Sequence, residues 1–342
     1  MLVEPVLGAG VLGDPTTELL VRLRPRASRV ALRVPVVLSV VLLAFTVFIG
    51  VFGEPVLAAF VAVSLLISLW SLYQVCVLVR VSRVSAEILP GAEWCPVDIA
   101  VRGAHSLGAD VVVTVDGVEV PLRVYGLTLP FRAVVRRTGK AWLVDGGAVA
   151  AIRIEGSHEA FPAVRVARAR PARRAEEADP TALWAKGLAG RAVRLVLPLV
   201  AGLVVVMSLI VIGDLHLLTV LICLVLVVVV FGSQPVRHGH RWIDRRLPGL
   251  VARGGWLPVG ATASRWTPRV DSTTTTNLVL RLTDGAVAVL ELPNAAADLL
   301  GTIHDTAGAW VAGPLTPGRV VAVGYPGYPL LAAGKVVSTE PA

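Results

Sequence analysis

Long apolar runs, unbroken by any charged side chain, dominate two regions of the chain. They extend from Pro35 to Phe52, from Pro55 to Val79, from Leu195 to Gly213 and from Leu215 to Gly232. A bilayer-spanning helix needs roughly 17–25 apolar residues. A helix on a soluble core normally keeps a polar face, which these runs lack. The pattern predicts four transmembrane helices. Gly53-Glu54 separates the first two and Asp214 alone the second two, so they are expected as two antiparallel hairpins. Pro55 falls at a first helical position, where its missing N–H removes no helix bond.

The charges at the ends of the runs set an expected orientation. Arg22, Arg24, Arg26, Arg29 and Arg33 precede the first run, and Arg80 and Arg83 follow the second. Lys186, Arg191 and Arg194 precede the third, and Arg237, Arg241, Arg245 and Arg246 follow the fourth, while both short turns lack Lys and Arg. Under the positive-inside rule this places the N- and C-termini and the central loop in the cytoplasm, in a multi-pass protein of the cell membrane. Trp70, Tyr73, Trp184 and Trp242, with Arg33, Arg80, Arg194 and Arg237, are the expected membrane-interface residues. Glu4 and Asp14 before the basic cluster argue against a cleaved signal peptide.

Between and after the runs the period changes to two. Val118, Val120, Leu122 and Val124 alternate with Glu119, Pro121, Arg123 and Tyr125, and Leu278, Leu280 and Leu282 alternate with Val279, Arg281 and Thr283. Such alternation marks half-buried strands, and the adjoining Asp116-Gly117 and Asp284-Gly285 pairs read as hairpin turns. A short helix is predicted in each segment, Phe131 to Thr138 ending at Gly139, and Ala295 to Thr306 capped by Asn294. Further strands are expected at Ala141–Val144, Val149–Ile154, Val164–Val166, Trp310–Ala312 and Val320–Val323. A small barrel and a rolled sheet both satisfy this order.

The landmarks recur. Asp14-Pro15-Thr16 and Asp179-Pro180-Thr181 open the two halves as helix starts, with Asp as N-cap and Pro at the first position. Asp116-Gly117, Leu129-Pro130 and Trp142 are matched in order by Asp284-Gly285, Leu292-Pro293 and Trp310. The expected fold is thus α+β with a parallel internal repeat: four transmembrane helices in two hairpins, each followed by a β-rich cytoplasmic domain with one short helix. The boundaries are a segment over 1–34, a hairpin over 35–79, a β domain over 80–166, a basic linker and lead-in helix over 167–194, a hairpin over 195–232 and a β domain over 233–342.

Composition sharpens this. The 342 residues are 55% hydrophobic and 16% charged, against about 25% charged in an ordinary soluble domain. The net charge of +8 rests on arginine, since Lys occurs only at 140, 186 and 335, a usage that resembles high-GC bacterial proteins. The arginines stand mostly beside the apolar runs, so nucleic acid is not an expected partner. The expected partners are the lipid bilayer and either another copy of the chain or an unknown membrane protein.

Motifs that carry chemistry are sparse. Gly8-Ala9-Gly10-Val11-Leu12-Gly13 spells a dinucleotide fingerprint, but Asp14-Pro15 and an arginine cluster follow where a βαβ unit is required, so a flexible glycine tail is expected. His238-Gly239-His240 offers two imidazoles without a third ligand nearby. Three cysteines build no disulfide framework, and Cys95, beside Trp94, is expected in the core. No catalytic, cofactor-binding or metal-binding residues are predicted. Trp142 and Trp310 are either core anchors or a shared interaction pocket, which Tyr328 on a turn-rich tip could join. The expected function is non-catalytic: paired β domains acting as interaction or scaffold modules at the inner membrane face. A subunit of a transporter or channel is the alternative.

Overall fold

The computed structural model describes residues 4–52, 55–169, 178–194 and 239–341. The chain divides into two units, Met1–Glu177 with Pro268–Thr273, and Ala178–Thr267 with Thr274–Ala342. The fold is mixed α+β, and each unit is built on a closed six-stranded β-barrel.

Unit 1 opens with a 3-10 turn over Val11–Gly13, then α1 (Pro15–Phe52) and α2 (Pro55–Glu87). Its barrel comprises β1 (Cys95–His105), β2 (Gly108–Val115), β3 (Val118–Tyr125), β4 (Lys140–Asp145), β5 (Val149–Ile154) and β6 (Phe161–Arg165), with α3 (Leu129–Thr138) between β3 and β4. The strands run β1-β2-β3-β6-β5-β4 and close through β4 on β1, antiparallel at each step. Inward positions are apolar: Val97 and Ile99 on β1, Val111 and Val113 on β2, Leu122 and Val124 on β3. Both Asp116 and Gly117 are left-handed, at φ 50° and 79°. That makes the two-residue primed turn whose twist matches the strands it joins. A bulge between Val101 and Gly103 bends β1 as the sheet closes. Gly108 is required where it stands, because a Cβ there would meet the Val124 carbonyl oxygen at 2.0 Å.

Unit 2 contains α4 (Pro180–Arg194), a 3-10 segment over Gly239–Arg246, α5 (Leu247–Arg253) and a second barrel. Its strands are β7 (Leu257–Ala263), β8 (Thr273–Arg281), β9 (Val287–Ala296), β10 (Gly308–Ala312), β11 (Val320–Tyr325) and β12 (Leu330–Glu340), with α6 (Ala297–Thr306) between β9 and β10. The order β7-β8-β9-β12-β11-β10 repeats that of unit 1 strand for strand. On β8, Thr274, Thr276, Leu278 and Leu280 point inward and the residues between them outward. The Asp284-Gly285 turn differs from its counterpart, because only Gly285 is left-handed, at φ 89°.

Several expectations are corrected here. Among the described residues one stretch, Ala62–Glu87, is long and apolar enough to cross a membrane, by length and composition alone. Four transmembrane helices are therefore not supported, nor is the multi-pass cell-membrane assignment with its cytoplasmic termini. The runs Leu195–Gly213 and Leu215–Gly232, with Arg237, lie outside the described residues. The physical reason lies at the ends of the other two runs. The residues from Pro15 onward, expected within a cytoplasmic segment over 1–34, are continuous with the first run in α1, which holds Pro25 and Pro35 in its interior. Leu20 and Leu23 on that segment are buried, and Arg24, one of the arginines used to set the orientation, donates to the carbonyl of Ala160 and to Glu159 (3.1 Å). The C-terminal end of α2 runs past Val79 to Glu87 and is fixed to the barrel by Ser85, whose Oγ donates to the Ala150 carbonyl at 3.0 Å. A charge-free run reports that the chain prefers to leave water, not what will cover it.

Three local readings also change. The glycine stretch is not a loose tail: Val11 is buried against Leu89, Trp94 and Trp142, and its N–H donates to the Ala92 carbonyl at 2.9 Å. Cys95 is exposed rather than in the core. Asn294 does not cap a helix; it lies within β9, and α6 starts at Ala297.

Candidate functional site

The most polar buried cluster in unit 1 forms where α1 meets the hairpin between β5 and β6. Asp14 caps α1 through Oδ1, which accepts from the N–H groups of Thr16 (2.9 Å) and Thr17 (3.3 Å). Pro15 at the first helical position needs no acceptor. The other carboxylate oxygen, Oδ2, accepts from Arg153 (2.8 Å) and from His158 Nδ1 (2.7 Å). A carboxylate can only accept, so the Nδ1 atom of His158 carries the proton. The Thr17 hydroxyl stands 2.8 Å from Asp14 Oδ2 and 3.0 Å from the His158 carbonyl, its single proton serving one at a time. It also accepts from Arg153 at 3.1 Å.

Arg153 and His158 are each 1% exposed. Arg153 comes from β5, an otherwise apolar strand, and its Nε donates to the Ser157 carbonyl at 2.7 Å. A buried guanidinium persists only if its charge and N–H groups are answered, and here the helix cap answers them. Burial pushes the Asp14 carboxyl up. The hydrogen bond and charge of His158, the Thr17 hydroxyl and the charge of Arg153 together outweigh it and hold the group well below the usual carboxylate range. The chemistry available to this cluster is structural: it clasps the start of α1 to the barrel.

Unit 2 repeats the clasp without the buried cation. Asp179 accepts from the N–H groups of Thr181 (3.2 Å) and Ala182 (3.0 Å). The Thr181 hydroxyl accepts from Gly327 N–H at 2.7 Å and donates to the Tyr328 carbonyl at 3.2 Å. The register explains the missing cation. Trp142 pairs with Arg153, whereas Trp310 pairs with Gly324. A Cβ at Gly324 would meet the Leu330 carbonyl oxygen at 2.1 Å, so no side chain fits. Next to it Tyr325 donates to the Gly308 carbonyl and lies 2.7 Å from the Thr306 hydroxyl. Burial pushes its phenol up to about 12, against the pull of the Thr306 bond.

A second buried polar pair lies in unit 2. Asn294 Nδ2 donates to Asp244 Oδ2 at 2.6 Å. The remaining oxygens, Asp244 Oδ1 and Asn294 Oδ1, are buried with no donor among the described residues. Burial raises the Asp244 carboxyl to about 6, against the Asn294 bond and the charges of Arg241 and Arg191. A proton on Asp244 removes the buried charge and supplies a donor where both oxygens lack one.

The residues expected to matter are dispersed. Trp142 is a core anchor, packed with Val11, Leu89, Trp94, Val144, Ala151 and Ala160. Trp310 stands at the matching register position, opposite Pro258 as Trp142 is opposite Pro96. It is half-buried, with its ring edge-on to Tyr325 at 5.4 Å. Tyr328 is half-buried and contributes its carbonyl to the clasp. Trp70 and Tyr73 are exposed on α2 with rings 5.8 Å apart, and Arg80 is exposed beyond them. Trp184 packs in unit 2 against Ala185 and Leu247 beneath the Arg191 guanidinium at 4.9 Å. Trp242 lies under Arg245 at 5.0 Å. Arg33 lies on α1, and Arg194 ends α4.

Sequence reasoning passed over Arg153, His158, Asp244 and Arg132. The available signal was a lone arginine inside the apolar run Val149–Ile154. Among the described residues no group of three or more His, Cys, Asp or Glu is placed to hold a metal. Comparison with family models, with curated proteins and with solved structures returns no match.

Proposed function

We propose that the chain is a non-catalytic interaction protein, in which two barrel modules, each clasped to the start of its own helix, serve binding to a protein partner. The observation that carries this is an uncovered apolar strip on α2. Leu66, Ile67, Trp70 and Tyr73 are 67%, 65%, 62% and 60% exposed. They lie at helical spacings of three, four and seven and share one face. An exposed apolar patch of this kind marks an interaction surface, and aromatic anchors are enriched at the energetic centres of protein interfaces. The buried ionisable groups support a non-catalytic reading, since Asp14, Arg153 and His158 bond one another and the backbone. Photo-crosslinking from a probe at Tyr73 in native cells tests the proposal. Adducts to a second copy of the chain or to one recurrent protein support it. Adducts to lipid alone, or none, refute it in favour of a membrane surface or a solvent-facing helix.

A further inference from the structure

Helices α3 and α6 occupy the same place in the two barrels. Each has ten residues, ends on threonine, is followed by a left-handed residue (Gly139 at φ 64°, Ala307 at φ 49°) and feeds the strand that carries the tryptophan. Aligned on these ends, Arg132 stands where unit 2 has Leu300, Arg136 where it has His304, and Thr128 where it has Ala296. Leu300 is fully buried. The barrel thus offers a core position there, and unit 1 fills it with a cation.

That cation is poorly provided for. Arg132 is half-buried, and its Nε atom is buried with no hydrogen-bond partner among the described residues. The Thr128 hydroxyl, one turn earlier, is likewise buried and unpartnered. Arg136 is one turn later, so 128, 132 and 136 form one ridge of the helix, with neighbouring Cβ atoms about 5–6 Å apart. No carboxylate among the described residues pairs with Arg132 or Arg136. Burial and the charge of Arg136 both push the Arg132 guanidinium down, although it stays protonated. Two like charges, one of them desolvated, beside a hydroxyl with nothing to bond form an arrangement that an anion relieves.

We propose that Arg132, Arg136 and Thr128 form an anion site on barrel 1 that takes a phosphate group, either free or carried on a lipid head. The guanidinium fork matches phosphate oxygens with paired N–H donors. A phosphate carrying close to two negative charges balances two arginines, and its further oxygens can accept from the hydroxyl. The same surface of barrel 2 cannot do this, because Leu300 and Ala296 replace Arg132 and Thr128.

The test uses the full chain, inorganic phosphate and calorimetric titration at fixed ionic strength in chloride. Wild type should bind phosphate and melt at a higher temperature in its presence. Arg132→Leu installs the sister barrel's own residue, so it should fold, melt higher than wild type without phosphate, and lose affinity about 10- to 100-fold. Arg136→Ala alters an exposed residue and gives a second, independent loss. A parallel arm compares neutral phosphatidylcholine vesicles with vesicles containing phosphatidic acid. Phosphate-dependent vesicle binding lost in Arg132→Leu identifies a lipid source, and binding of free phosphate alone identifies a soluble one. Wild type that binds neither, or variants that bind both as wild type does, overturn the site.

Discussion

Replacing Asp14 and Asp179 by alanine, one at a time, separates the cost of losing a helix cap from the cost of stranding a buried charge. Both residues cap the first turn of a helix, and removal of such a cap costs about 1 kcal/mol. Only Asp14 also compensates a buried cation, since Arg153 is 1% exposed and bonds Oδ2 at 2.8 Å. Breaking a buried pair from one side costs about 3–5 kcal/mol, because the remaining charge is left without a partner. The two costs share one carboxylate and do not simply add, so Asp14→Ala should cost about 4 kcal/mol and Asp179→Ala about 1 kcal/mol. Two units need not unfold in one transition. Native-state hydrogen exchange is therefore the assay, read at 150–158 for unit 1 and at 325–328 for unit 2. Protection should fall roughly a thousandfold in unit 1 with Asp14→Ala, and about five- to tenfold in unit 2 with Asp179→Ala. The double variant Asp14→Ala/Arg153→Leu should recover most of the loss, because no charge is then left stranded. Equal effects at the two aspartates, or a double variant as weak as Asp14→Ala, would refute the argument. The pH dependence has a definite sign. The folded carboxyl lies below its ordinary value of 3.8. Its contribution is complete above that value and drains away only as pH falls through the folded value.

Three further outcomes follow, two from unit 2 alone and one from a pair of matching positions in the two units. The Asp244 carboxyl sits at about 6 when folded, above an ordinary value of 3.8. Its stabilising protonation is therefore full below about pH 4 and lost as pH rises through 6. Asp244→Asn should abolish that dependence and raise stability by about 1–3 kcal/mol at pH 7.5, measured by melts at pH 5 and 7.5. Tyr325→Phe should cost about 1–2 kcal/mol in denaturant titration, through the bonds to Gly308 and Thr306. Ultraviolet titration of wild type should leave one phenol un-ionised until close to pH 12. Ala307 is left-handed at φ 49° where unit 1 has Gly139. Ala307→Gly should raise the melting temperature by relieving about 1 kcal/mol of backbone strain, and Gly139→Ala should lower it.

What could be read from the sequence was local. The period-two runs and Asp-Gly pairs placed the β2–β3 and β8–β9 turns, and Val149–Ile154 was read with the bounds the strand has. Strands β1, β7 and β12 are not among the expected strands, because Gly103, Gly260 and Gly334 interrupt their patterns and bulges break the alternation of β1 and β12. Barrel closure was not legible, since it depends on β3 meeting β6 and β1 meeting β4, pairings made far apart in sequence. The clasp was half legible. Asp-Pro-Thr announced a capped helix, but nothing local says that Asp14 meets His158, 144 positions away. The membrane reading failed because hydropathy scores a helix one residue at a time. It could not register that Arg24 and Ser85 bind a barrel.

Barrel closure has a consequence for how such a chain can assemble. An open sheet ends in a row of unpaired peptide groups, which invites a strand from any neighbour. Here β4 returns to β1 and β10 to β7, so the ladder of each barrel has no first or last member. Two modules of the same strand order can share one polypeptide without lending strands to each other or to another copy. Recognition then falls to side chains, whose identities have diverged between the two barrels, while the strand order that presents them is the same in both.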